Sequence, residues 1–108
     1  MEVVQESEPF NSTPAEHFLK IQLSFINGLS LRLAEIQNAV DDQQRYVALH
    51  RLAGAAGGYG FANLGDIARA SMQAMHSDSK SALNEQLALL DCAVHAVIRK
   101  QINELPLV

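Results

Sequence analysis

Apolar residues along this chain recur at steps of three and four, and no stretch sustains the two-residue alternation of a strand. Phe18, Ile21, Phe25, Leu29, Leu33, Ile36 and Val40 trace one face of a first helical segment. Thr13-Pro14-Ala15-Glu16 opens it: Thr13 can cap, Pro14 has the φ of a first helical position, and Glu16 can close a capping box. Gly28 and Ser30 interrupt good helix formers, which predicts a kink or a short break. Asp41-Asp42 ends the segment, and Asp41 with Gln44 can cap a second helix running from about Asp42 to Gly57. Tyr46, Leu49, Leu52, Ala53 and Ala56 cluster on one face of that helix, and Gly57-Gly58-Tyr59-Gly60 stops it. A third helix is predicted from near Asn63, with Leu64, Ile67, Ala68, Ser71 and Met75 inward. His76-Ser77-Asp78-Ser79 is a polar connection with capping residues. A fourth helix carries Leu83, Leu87, Leu90, Val94, Val97, Ile98 and Ile102, with Pro106 at its end. The pattern predicts an all-α, up-and-down four-helix bundle over residues 13–108, its first segment kinked or preceded by a short helix. Residues 1–12 lack periodicity and carry Glu2, Glu6 and Glu8, and read as a disordered leader or linker.

Composition narrows what such a bundle does. With 108 residues, 48% hydrophobic and 19% charged, the chain suits one folded domain with one core. The net charge of -4, the lack of a dense Lys/Arg stripe and the absence of Trp argue against a nucleic-acid partner. No stretch approaches the ~18 consecutive apolar residues of a membrane span. The acidic, polar opening is unlike a signal peptide, so the expected location is the cytoplasm. Cys92, alone, cannot form an internal disulfide, suits a reducing compartment and reads as a buried thiol. Nothing in the pattern calls for more than a monomer.

The candidate chemistry sits in Leu49-His50-Arg51-Leu52-Ala53-Gly54-Ala55-Ala56-Gly57-Gly58-Tyr59-Gly60-Phe61. Glycine inside a helix costs roughly 0.5–1 kcal/mol relative to alanine. A helix that only packed would use alanine at Gly54 and Gly57. Ala53, Gly54 and Gly57 flank His50 in projection and leave its imidazole unshielded, which suits the docking of another protein's surface. Imidazole near neutral pH is a competent nucleophile and a natural acceptor of a group that must be carried and passed on. The plainer reading is a surface histidine without a role. His17 and His76 read as surface residues near helix ends and His95 as a boundary residue. None pairs with another histidine at the spacing of a helical metal site. Met72 and Met75 read as core filler. Of Tyr59 and Phe61, at least one is expected to plug the end of the bundle.

His50-Arg51-Leu52-Ala53-Gly54-Ala55-Ala56-Gly57, followed by Gly60 and Leu64, resembles the signature of the histidine-containing phosphotransfer domains of bacterial phosphorelays. That signature is a histidine, an apolar residue two on, usually a lysine three on, a glycine four on, then small residues, a glycine ten on and a leucine fourteen on. Helix number and order fit as well, from about Thr13 to Glu104. The resemblance implies that His50 is the phosphorylated residue, with Gly54 the gap through which phosphate and partner approach. Arg51, Ala53, Gly54, Gly57 and Gly58 would line phosphate access and docking. Where the family commonly has lysine, this chain has Ala53. Arg51, Arg69 and Gln73 are the polar residues that could stand in, although Arg51 projects about 100° round the helix from His50.

The resemblance also implies the partners: receiver domains of response regulators and of hybrid sensor kinases, which would bring the aspartyl phosphate and the Mg²⁺. No GxxxxGK loop or carboxylate cluster for a metal is evident in the chain. It would therefore be a stoichiometric phosphoryl carrier with no cofactor of its own and no kinase activity. A different reading is a non-catalytic helical adaptor that binds receivers or other proteins without carrying phosphate, in keeping with Ala53. A metal-binding bundle is disfavoured by the lack of Glu-x-x-His pairs.

Overall fold

The computed structural model describes residues 13–104, with side chains as far as residue 101. The expected leader over residues 1–12 and the stop at Pro106 lie outside the described residues. Five helices make up the described chain: α1 (Pro14–Asn27), α2 (Leu29–Gln37), α3 (Asp42–Gly58), α4 (Ala62–Met75) and α5 (Lys80–Glu104).

Local sequence sets most of these boundaries. At the start of α1 the Glu16 amide donates to Thr13 Oγ1 at 3.0 Å, and the Thr13 amide donates to Glu16 Oε1 at 3.0 Å. Two orphan N–H groups are thus satisfied by one side-chain pair. The predicted interruption is a break: Gly28 closes α1, its N–H bonding back to Phe25 and Ile26, and α2 begins at the next residue. Asp41 Oδ1 accepts from the Gln44 amide at 2.8 Å, and Gln44 Oε1 accepts from the Val40 amide at 3.3 Å, so α3 also opens on a reciprocal cap.

The end of α3 is a Schellman turn. The Phe61 amide donates to Ala56 O at 2.8 Å and the Gly60 amide to Gly57 O at 3.4 Å. Gly60 carries the left-handed conformation this requires, with φ +89. Gly57 and Gly58 remain helical, so α3 runs one residue further than expected.

Helices α2 to α5 pack as a four-helix bundle: α3 lies against α2 and α4, α5 lies against α4, and α5 also meets α2 to close the ring. The core is Leu29, Leu33 and Ile36 of α2, Leu49, Leu52, Ala53 and Ala56 of α3, Leu64 and Ala68 of α4, and Leu90 and Val94 of α5, joined by Phe25 and Ile26 from the end of α1. Ser71 is fully buried within this face and satisfies its hydroxyl by donating to Ile67 O at 2.9 Å. Arg45 ties α2 to α3, its Nε donating to Ile36 O at 3.0 Å. Tyr59 and Phe61 close one end of the bundle as expected, their rings 5.2 and 5.5 Å from that of Phe25.

Four expectations of burial are corrected. Val40 is 80% exposed, because α2 stops at Gln37 and the periodic face stops with it. Phe18 and Tyr46 lie at the margin of the packed faces, 43% and 37% exposed. Cys92 is exposed rather than buried. It lies two residues beyond Leu90, about 200° round α5 from that core position.

Candidate functional site

His50 lies near the middle of α3, one residue beyond the fully buried Leu49 and three before the buried Ala53. Its own side chain is exposed. The core side of α3 runs through Leu49, Leu52 and Ala56, and the next strip round the helix, through Ala53, is covered by α4. His50 stands just outside that strip, on the solvent edge of the α3–α4 seam. Among the described residues no side-chain hydrogen bond or ion pair engages its ring.

The glycines around it differ in what their missing side chains leave free. Positions 54 and 58 are open: a methyl group built at either would meet nothing within 4 Å. At Gly57 such a methyl would lie 3.7 Å from Nη2 of Arg69 on α4. At Gly65, on α4, the two backbones come close together, since a methyl there would be 3.2 Å from the Ala53 carbonyl oxygen and 3.7 Å from the Gly57 nitrogen. The glycines thus serve two ends: Gly65 lets α4 lie down on α3, while Gly54 keeps the solvent side of α3 flat next to His50 and Gly58 keeps it flat at the helix end.

Of the residues singled out from sequence, His50, Gly54 and Gly57 share an exposed strip of α3, and Gly58, also exposed, lies about two turns along and about 80° round the helix from His50. Arg51 and Ala53 do not join them. Arg51 lines a shallow groove with Glu35, Asn38, Asp41, Gln44 and Val47, where the end of α2 meets the start of α3. Ala53 is 4% exposed beneath α4 and so contributes to packing rather than to the exposed surface. A lysine at this position would have to leave the seam to reach solvent.

Sequence reasoning did not find how Arg69 is placed. Its guanidinium lies across the seam above Gly57 and Gly65 and contacts Asp66 at 3.2 Å, with both side chains largely exposed, at 54% and 74%. The seam is framed at its other end by Tyr46 and His76, whose rings meet edge to face at 5.6 Å. No local signal announces either contact, because both depend on the register of α4 against α3.

The remaining histidines lie elsewhere. His17 is exposed in the first turn of α1, and His76 caps the end of α4. His95 is held on the surface of α5, with Nδ1 2.8 Å from Asp91 O and 3.3 Å from Asp91 Oδ1. Among the described residues no group of three or more His, Cys, Asp or Glu side chains is placed to hold a metal ion. No helix among them is long and apolar enough to cross a membrane. Scanned against models of protein families, curated proteins and solved structures, the chain matches none of them.

Proposed function

We propose that the protein is a phosphorelay carrier that accepts a phosphoryl group on His50 and passes it on. The observation that carries this reading is an exposed, unengaged imidazole on a bundle helix, bordered by glycine positions that open onto empty space. Its sequence context, His50-Arg51-Leu52-Ala53-Gly54 with Gly60 and Leu64, resembles the phosphotransfer signature.

The donor in this reading is the acyl phosphate of a receiver-domain aspartate. An imidazole nitrogen attacks phosphorus in line as the P–O bond to the aspartate breaks. The aspartate leaves as a carboxylate, and a P–N bond is formed. The ring's other nitrogen keeps its proton, so no external base is required. The reverse sequence with a second receiver's carboxylate discharges the histidine. Such a transfer depends on alignment and on stabilising charge over the equatorial oxygens. The receiver supplies the Mg²⁺; this chain supplies a positioned nucleophile and a flat approach. Receiver domains of response regulators and hybrid kinases are the partners, and the cytoplasm is the setting.

Incubation with a radiolabelled phosphoreceiver tests the proposal. Label is expected to pass to the wild-type protein in an acid-labile, base-stable form and not to His50→Gln. Equal labelling of His50→Gln would overturn it. The burial of Ala53 favours one other reading, an adaptor that docks receivers without carrying phosphate, because the position three residues on from His50 then offers no cation to a phosphoryl group. Receiver binding without any phosphohistidine would support that adaptor.

A further inference from the structure

The vacancy at Ala53 leaves open what would steady a phosphoryl group on His50. The α3–α4 seam narrows the choice. α3 and α4 run antiparallel: Tyr46 meets His76 at one end, and Ala53 and Gly57 meet Gly65 at the other. Between those two fixed points, Arg69 leaves α4 abreast of about Ala53. That is three residues from His50, or about 4.5 Å of helical rise. The other two polar candidates fall away. Arg51 lines the groove at the end of α2, and Gln73, although abreast of about Leu49 in the same register, carries no charge to set against the phosphoryl oxygens.

We propose that Arg69 is the cation that holds the phosphoryl oxygens of phosphorylated His50, exchanging its contact with Asp66 for them. The inference deepens the carrier reading and rests on His50 being phosphorylated. In the unphosphorylated protein the guanidinium is parked over Gly57, about 10.5 Å along α3 from the level of His50. A methyl group at position 57 would already touch Nη2 at 3.7 Å, and glycine leaves that space to the guanidinium. The Asp66 contact is a solvent-exposed pair within one helix, the kind that contributes little to stability. A phosphoryl group offers close to two negative charges and three acceptor oxygens, which a planar guanidinium can engage with two parallel N–H donors. It therefore competes well with a single exposed carboxylate. Holding the charged oxygens favours the phosphorylated ground state over the loose, metaphosphate-like route by which a P–N bond is lost. Arg69 thereby lengthens the life of the carried group; Asp66 opposes it.

The test compares the lifetime of phosphate at His50 in the wild type, Arg69→Ala, Arg69→Lys and Asp66→Asn. Each protein is charged in one arm by a phosphorylated receiver and in the other by phosphoramidate, and the His50 peptide is followed by mass spectrometry at alkaline pH. Arg69→Ala is expected to shorten the lifetime by about two- to fivefold, as loss of one exposed charge pair allows. Arg69→Lys is expected to recover part of it and Asp66→Asn to lengthen it, with thermal stability unchanged in all three. An unchanged lifetime in Arg69→Ala overturns the inference while leaving the carrier reading intact. No transfer from receivers, combined with a phosphoramidate-made phosphohistidine whose lifetime depends on Arg69, overturns the carrier reading and leaves the inference standing. A His50 that takes phosphate from neither donor overturns both.

Discussion

Glycines 54 and 65 sit on facing helices and are needed for opposite reasons. At Gly54 nothing lies within 4 Å of the missing methyl, so alanine fits without strain and removes the backbone entropy that glycine loses on folding. Gly54→Ala is expected to stabilise the fold by about 0.5–1 kcal/mol, seen as a rise of a few degrees in Tm. That the natural chain forgoes this gain is the energetic sign that the position is kept clear. Gly54→Leu leaves folding intact but fills the approach to His50, and phosphoryl transfer from a receiver is expected to slow by about tenfold or more through misalignment. A transfer rate indifferent to leucine would detach Gly54 from the docking face. His50 and its open glycines were legible in the sequence because helical angle alone places them. Arg69 was not, since its place over Gly57 depends on how far α4 is slid along α3.

The helices separate into a closed ring and an outlier. α2 to α5 each pack on two neighbours, whereas α1 is held chiefly where it joins α2 and by a few ties to the α3–α4 turn. Gln22 Nε2 donates to Tyr59 O at 2.8 Å, and the Phe18 ring lies beside Gly60, where a methyl group would meet it at 3.7 Å. Elements with few buried contacts open first. Gln22→Ala is therefore expected to speed amide exchange through α1 while leaving α3, α4 and the middle of α5 as protected as before. Uniform loss of protection would instead mean that α1 belongs to the same cooperative unit.

Helix ends were the most legible part of this level. Thr13 with Glu16, and Asp41 with Gln44, are caps written within four residues, and the structure contains both. The errors at Val40 and Cys92 have different causes. Val40 continued the spacing of α2 past its last turn. Cys92 was placed by the usual preference of thiols for interiors, although its angle on α5 points away from Leu90.

Among the described residues the core draws on every helix, and α3 and α4 make the most extensive helix–helix contact, with a close backbone approach at Gly65. Those helices are joined by three residues, Tyr59, Gly60 and Phe61, one of which is fixed in the left-handed region. Little loop entropy is lost in bringing them together, and contacts between chain neighbours form early and fast. The consequence is kinetic: the α3–α4 hairpin is where folding should begin, with α5 and then α2 closing onto it. Gly65→Ala probes this. Its methyl would press on the Ala53 carbonyl at 3.2 Å, and that carbonyl belongs to a buried helical residue with no room to retreat. The variant is expected to lose about 1–2 kcal/mol after allowing for alanine's better helix propensity. In a chevron experiment most of that loss should appear as slower folding. Faster unfolding at an unchanged folding rate would place the nucleus elsewhere. The pair of helices that presents His50 would then also be the first part of the chain to acquire its native shape.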